Sequence, residues 1–251
     1  MRETVTCITP TGDRPLAFSL CKKWLANQTV PATQWIIVDD GKTSLQEQGV
    51  SFPSYAEYVR REPRSDDPKH TLGRNIKEAM PRIVGSKILI IEDDEYYAPT
   101  YIEEMCNRLN NHGIVGIGKS RYYNIPNASY MRDNNMWHAS LAQTAFRRDI
   151  FDSCRYLFDD EIYIDVRIWE TENYSRFRFD GKERVTDRGS GIIFDDGDDR
   201  PIYCGIKGLP GRPGMGIGHQ HSAGFYPDPE RQMLKKWIPD NYDAYLRLMG
   251  G

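Results

Sequence analysis

The sequence predicts an α/β protein built on a mostly parallel central sheet with helices on both faces and a smaller mixed C-terminal part. Three observations carry this. Short apolar runs alternate with helical periodicities through the first half of the chain. The runs are continuously apolar, as strands covered on both faces are. Two of them end in acidic clusters, Asp39-Asp40 and Glu92-Asp93-Asp94, and strand ends are where open α/β sheets take their ligands.

Thr4–Thr9 reads as the first strand. Leu16–Asn27 follows as a helix, with Leu16, Leu20, Trp24 and Leu25 at helical period. Gln34–Val38 is the second strand and runs into Asp39-Asp40-Gly41. Thr71–Val84 is a helix with Thr71 as its cap. Lys87–Ile91 is the most apolar strand and leads into Glu92-Asp93-Asp94-Glu95. Pro99–His112 is a helix with proline near its start. Ile114–Ile117 is a strand. Beyond it the pattern is mixed: strand at Gln143–Phe146, helix at Ile164–Tyr174, alternating strand at Arg176–Phe179 and a turn at Asp195–Asp199. Residues 205–218 are glycine-rich, and two short helices close the chain near Arg231 and Asp243.

The 251 residues carry 33 basic and 36 acidic side chains, a net charge of −3. A chain of this length buries roughly three quarters of its unfolded surface, and it is expected to form one domain. Aromatic residues at 12% supply too much packing material for a disordered chain. No apolar run approaches the ~18 residues of a membrane span, and no signal peptide is read at the N-terminus. The five cysteines are scattered without a CxxC pair, which favours reduced thiols in a cytoplasm, a host's cytoplasm if the protein is viral. The near-neutral charge excludes a generally basic nucleic-acid coat protein, though not a local basic patch.

Two acidic clusters on successive parallel strands face one crevice, where unpaired carboxylates repel. A divalent cation shared with a polar ligand relieves that repulsion. Hard oxygen donors of this kind suit Mg²⁺ or Mn²⁺ bound together with substrate phosphates.

Four segments in order carry a family resemblance: Thr9-Pro10-Thr11-Gly12-Asp13-Arg14-Pro15 with Asn27-Gln28-Thr29, Ile36-Ile37-Val38-Asp39-Asp40-Gly41, Leu72-Gly73-Arg74-Asn75 with Ala79, and Glu92-Asp93-Asp94 with Pro99. Together they resemble a GT-A fold glycosyltransferase of the family 2 kind, over roughly the first 120 residues. Glu92 stands where the DxD motif has its first Asp. The resemblance implies a metal-dependent transfer of a sugar from a nucleotide-sugar donor, UDP-sugar foremost, to an acceptor hydroxyl, with inversion. It implies a donor-binding half at 1–119 and an acceptor half at 120–251. Thr9, Arg14, Asp39 and Asp40 would line the nucleotide pocket, with Arg74, Glu92 and Asp93 beside the ribose, phosphates or metal. Asp94 would ligate Mn²⁺ or Mg²⁺, which stabilises the departing diphosphate as a Lewis acid.

Asp165, before Val166-Arg167-Ile168-Trp169, resembles the family's catalytic carboxylate at a helix start and would take the acceptor proton. The alternative is a helix cap, with Asp159, Asp160 and Glu161 as competing bases. The glycine-rich stretch suits a loop folding over the donor, with Lys207 and Arg212 meeting the diphosphate or standing in solvent. His219 sits where some GT-A enzymes take a late metal ligand, and His221 is its neighbour. Trp137 and His138 precede a strand resembling the one beneath the acceptor and are candidate acceptor-binding residues. Ser120–Arg132 and Tyr174–Arg188 interleave basic and aromatic residues, which stack on bases or sugars and meet phosphates. They keep hydroxymethylated pyrimidines in DNA open as an acceptor.

Three rivals are weaker. A response-regulator receiver needs a phospho-accepting Asp after a later apolar strand, and Arg132–Trp137 is polar. A sugar nucleotidyltransferase opens with a loop richer in glycine and lysine than Pro10–Pro15. A non-catalytic glycan- or nucleic-acid-binding module has no need of acidic residues at all three stations, Asp39, Asp94 and Asp165.

Overall fold

The computed structural model describes residues 3–135, 137–159, 163–170, 174–181, 185–186, 193–194, 200–214 and 223–248. In chain order the first half holds β1 (Val5–Thr11), α1 (Pro15–Ala26), β2 (Gln34–Asp39), β3 (Ala56–Arg60), α2 (Leu72–Ala79), β4 (Lys87–Ile90), β5 (Tyr96–Tyr97), α3 (Tyr101–Leu109) and β6 (Ile114–Ile117). The hairpin β7 (Lys119–Asn124) and β8 (Ser129–Asn134) follows, then β9 (Thr144–Arg147), α4 (Arg148–Ser153), α5 (Ile164–Glu170) and β10 (Arg176–Phe179). The chain continues through β11 (Val185–Thr186), β12 (Ile193–Phe194), β13 (Tyr203–Lys207), β14 (Tyr226–Pro227), α6 (Gln232–Trp237) and α7 (Tyr242–Leu246).

Among the described residues, seven strands form the main sheet in the order β10-β6-β9-β4-β1-β2-β3. All run parallel except β9, which is antiparallel to both β4 and β6. A smaller sheet, β14-β8-β7-β13-β5, packs the C-terminal half against the first. The predicted α/β class and mostly parallel sheet are borne out.

Alternation along the strands divides the interior in two. Cys7 of β1, Trp35 and Ile37 of β2 and Leu89 of β4 face a core with Phe18 and Trp24 of α1 and Tyr101 and Met105 of α3. Ile8, Ile36, Val38, Ile88 and Ile90 face the other core, with Ile76 of α2, Phe151 of α4 and Ile168 of α5. Both faces are dry, so the strands read as continuous apolar runs.

Several boundaries differ from the sequence reading. The helix predicted to reach Val84 stops at Ala79 and finishes as one 3₁₀ turn, Met80–Arg82. Pro81 lacks the N–H that the α-helix needs there. α3 starts at Tyr101, two residues past Pro99. β1 runs on to Thr11 because its last residues keep pairing with Val38 and Asp39. The turn predicted at Asp195–Asp199 lies outside the described residues. Both short C-terminal helices are present as α6 and α7. All five cysteines are buried and free.

Candidate active site

β1, β2 and β4 are neighbours and parallel, so their C-terminal ends bring Thr11–Arg14, Asp39–Gly41 and Glu92–Glu95 together. Pro15 at the first turn of α1 has φ already fixed for a helix. That leaves Arg14 at the helix start, aimed at the β4 end. Its guanidinium donates to Asp94 Oδ2 at 2.5 Å and pairs with Asp93 Oδ1 at 2.8 Å. Thr11 Oγ1 donates to the other Asp93 oxygen at 2.6 Å.

Glu92, Asp94 and Glu95 each place a carboxylate oxygen within 4.8 Å of the others. Burial, with Asp94 and Glu95 alongside, pushes the Glu92 carboxyl up to about 8. Burial likewise raises Asp93 to about 6, although the Arg14 charge opposes it. Among the described residues this is the group of carboxylates that fits a hard cation.

Glu95 was not singled out in the sequence, and it is spoken for within the fold. β5 pairs antiparallel with β13, which brings the Glu95 side chain within reach of Ile206 and Lys207. The Ile206 N–H donates to Oε2 at 2.5 Å and Lys207 Nζ to Oε1 at 2.8 Å. Lys207 is buried, so the expectation that it meets the diphosphate or stands in solvent is corrected. Burial works against its charge, but Glu95 and Asp94 outweigh burial and raise its pKa. The signal was its place at the end of the apolar run Tyr203–Lys207, where a lysine needs a buried partner.

Asp39 is 1% exposed. Its carboxylate accepts the N–H groups of Gly41 (2.9 Å) and Leu45 (2.8 Å) and the Tyr58 hydroxyl (2.8 Å). It thereby shapes the turn after β2. Asp40 accepts from Arg61 at 2.7 Å and from Arg212. Arg61 continues to Asp67 at 2.9 Å, and Asp67 accepts from Arg74 at 3.1 Å. The Arg74 guanidinium is thus held by Asp67 and, at 3.4 Å, by Asp66. Thr9 departs from expectation. It lies on the Cys7 face of β1, fully buried, and its hydroxyl accepts from Trp35 Nε1 at 2.8 Å.

The Arg212–Asp40 pair ties the glycine-rich segment to the strand ends across 172 positions. A side chain at Gly12 would collide with that guanidinium, and one at Gly211, whose φ is +118°, would sit 2.5 Å from the Asp13 carbonyl oxygen. His219 and His221 lie outside the described residues, as do Asp160 and Glu161. Asp159 is exposed and pairs with Lys77.

Asp165 and His138, assigned separate roles from sequence, come together. His138 Nε2 is 3.8 Å from Asp165 Oδ2, and Oδ1 accepts the Val166 N–H at 2.9 Å. Asn135 Oδ1 accepts the N–H groups of Trp137 and His138, each at 3.0 Å, an Asx-type turn that fixes both residues. Beside them opens a cleft of about 440 Å³ lined by Trp137, His138, Trp169, Glu170, Arg176 and Arg178.

No protein-family model and no curated protein matches the sequence. Solved structures do match in shape. TarS of S. aureus superposes with a TM-score of 0.54 at 14% identity, over 81% of this chain and 36% of that one. TarS 1-349 in complex with UDP-GlcNAc gives 0.55 at 14% identity, over 82% and 59%. The mannosyltransferase PcManGT from Pyrobaculum calidifontis, in complex with GDP-Man and Mn²⁺, gives 0.53 at 14% identity, over 71% and 55%. The chain therefore spans between about a third and three fifths of these proteins. Strand order, the single antiparallel strand β9 and these likenesses define a GT-A-type glycosyltransferase fold. Among the described residues no helix is long and apolar enough to cross a membrane.

Proposed function

We propose that the protein is a glycosyltransferase that moves a sugar from a nucleotide-sugar donor to an acceptor hydroxyl with the help of a divalent cation. The observation that carries this reading is the convergence of Arg14, Asp39, Asp40, Glu92, Asp93 and Asp94 at the ends of β1, β2 and β4. Two of the structural neighbours were solved with nucleotide-sugars, one of them with Mn²⁺.

In this reading residues 1–119 bind the donor and residues 120–251 the acceptor. The turn shaped by Asp39 receives the base, with Asp40 and Arg74 holding its walls. Glu92 and Asp94 hold Mn²⁺ or Mg²⁺, whose chemistry is to neutralise the diphosphate as it leaves. Their oxygens are the right donors for such an ion, while Glu95 is retained by Lys207. Arg14, which pairs with Asp93 and Asp94, would meet the diphosphate from the same strand ends. The Gly208–Gly214 segment, anchored by Arg212 on Asp40, borders the same pocket, and His219, further along the chain and outside the described residues, would be an additional metal ligand.

Asp165 takes the proton of the acceptor hydroxyl as that oxygen attacks the sugar from the face opposite the diphosphate, which inverts the anomeric centre. His138, 3.8 Å away, orients it, and Trp137 borders the acceptor. The test is a nucleotide-sugar panel with Mn²⁺, read as released nucleoside diphosphate. Turnover of one donor class that stops in EDTA supports the reading; no turnover or binding of any nucleotide-sugar contradicts it.

A further inference from the structure

We infer that the cleft beside Asp165 is an anion-and-ring subsite, which takes an acceptor unit carrying a phosphate next to a ring, a base or a sugar, whose face stacks on an aromatic side chain. The inference rests on the proposed role of Asp165 and adds the chemical class of the acceptor.

The lining has two chemistries at once. Trp137 is 84% exposed, yet its backbone is pinned by Asn135 on one side and by Arg178, which donates to its carbonyl oxygen at 2.5 Å, on the other. A large aromatic ring held out in water by a fixed backbone is a preorganised stacking surface. Arg178 lies over the Trp169 ring, 5.4 Å from its centroid, which fixes the plane of the guanidinium. Arg176 is anchored through its bond to the Trp169 carbonyl oxygen. Two anchored guanidinium groups and His138 face one carboxylate of the lining, Glu170, which Arg167 approaches at 3.8 Å. A guanidinium has five donors in a rigid fork, of which a carbonyl uses one, and a phosphate is its best geometric match.

The size fits one such unit. About 440 Å³ is at the small end of ligand pockets, enough for a nucleotide or a hexose phosphate. Position completes the argument. Val166 also lines the cleft, and its N–H is bonded to Asp165, so a unit seated on Trp137 and Arg178 presents its hydroxyls beside the Asp165–His138 pair. The sources of the shared chemistry are a nucleotide unit and a sugar phosphate unit.

The experiment is titration calorimetry on the full chain saturated with UDP and Mn²⁺, after UDP binding has been measured on its own. The probes are deoxycytidine 5′-monophosphate against deoxycytidine, and glucose 6-phosphate against glucose. The phosphorylated member of at least one pair should bind roughly tenfold to a hundredfold more tightly, the range of a charge-assisted hydrogen bond. Preference within the nucleotide pair assigns a base to Trp137; preference within the hexose pair assigns a sugar face. Arg178→Gln should remove the phosphate preference, Arg178→Lys should keep much of it, and Trp137→Ala should weaken both members of the pair where Trp137→Phe does not. UDP affinity should be the same in all four variants. Equal or undetectable affinity for phosphorylated and plain probes, with UDP bound normally, overturns the subsite. Failure of the wild type to bind either UDP or GDP, the latter put in place of UDP where only it binds, overturns the donor assignment instead.

Discussion

The guanidinium of Arg14 lies 2.5 Å from the carboxylate of Asp94, joining positions 80 residues apart. It holds Asp93 as well, so one cation balances two buried acids at the end of β4. Breaking such a pair from one side leaves charge buried and uncompensated. Arg14→Gln should therefore lower stability by about 3 kcal/mol, the low end of the range for buried pairs, because Arg14 keeps 16% of its side chain exposed. A divalent ion would restore the missing charge. The melting temperature of Arg14→Gln should rise with Mn²⁺ by more than the wild type's does. Equal shifts would show that the ion does not share these carboxylates.

Asp165→Asn keeps size and removes basicity. With Asp165 as the base, turnover should fall ~10²–10⁴-fold while donor affinity and melting temperature stay near wild type. Activity within a few fold of wild type would move the base to Asp159, Asp160 or Glu161. Loss of folding would make Asp165 a structural cap, since Oδ1 already accepts the Val166 N–H.

Lys207 and Glu95 test the fold beneath the site. Both are buried and bonded at 2.8 Å. Lys207→Met should cost ~3–5 kcal/mol in urea unfolding. Adding Glu95→Gln should recover part of that loss, since it removes the orphaned charge. A double variant as unstable as the sum of the singles would contradict the coupling.

Asp40 predicts a pH dependence. Burial pushes its carboxyl up, but hydrogen bonds from Arg212, Thr71 and Arg61 and the Arg212 charge hold it below the ordinary carboxylate range. A depressed carboxylate contributes stability that is complete above its unfolded pKa, ~3.9, and is lost as pH falls through the lower folded value. The stability gap between wild type and Asp40→Asn should be flat from neutral pH to about 5 and close below about 4. A gap that closes near neutral pH would refute this pairing.

Much of this was legible because the sheet is covered on both faces. Ile36–Val38 and Ile88–Ile90 are apolar at every position, so strand and order could be read, and the acids after them marked the crevice. What stayed hidden depends on pairing between distant segments. β3 and the β7–β8 hairpin are half-polar strands whose partners supply the missing signal. Glu95 and Lys207 meet only because β13 lies against β5. Arg61, which binds Asp40 and Asp67 at once, sits in a charged loop with no periodicity. Thr9 was placed in the pocket from its neighbours, whereas strand alternation turns it into the core. Asp165 and His138 were each found from local pattern, but their 3.8 Å approach is set by how α5 packs beside the Asn135 turn.

The central claim is that the ends of β1, β2 and β4 bind a nucleoside diphosphate through a divalent ion held by Asp94. Calorimetric titration of UDP and of GDP into wild type and Asp94→Ala, each with Mn²⁺ and with EDTA, tests it most directly. The account predicts that one of the two nucleotides binds the wild type with Mn²⁺, at least tenfold more weakly in EDTA, and that Asp94→Ala with Mn²⁺ behaves as the wild type does in EDTA, the size of one lost charge-assisted contact. Binding that is indifferent to both Mn²⁺ and Asp94, or no binding of either nucleotide to the wild type, would contradict it.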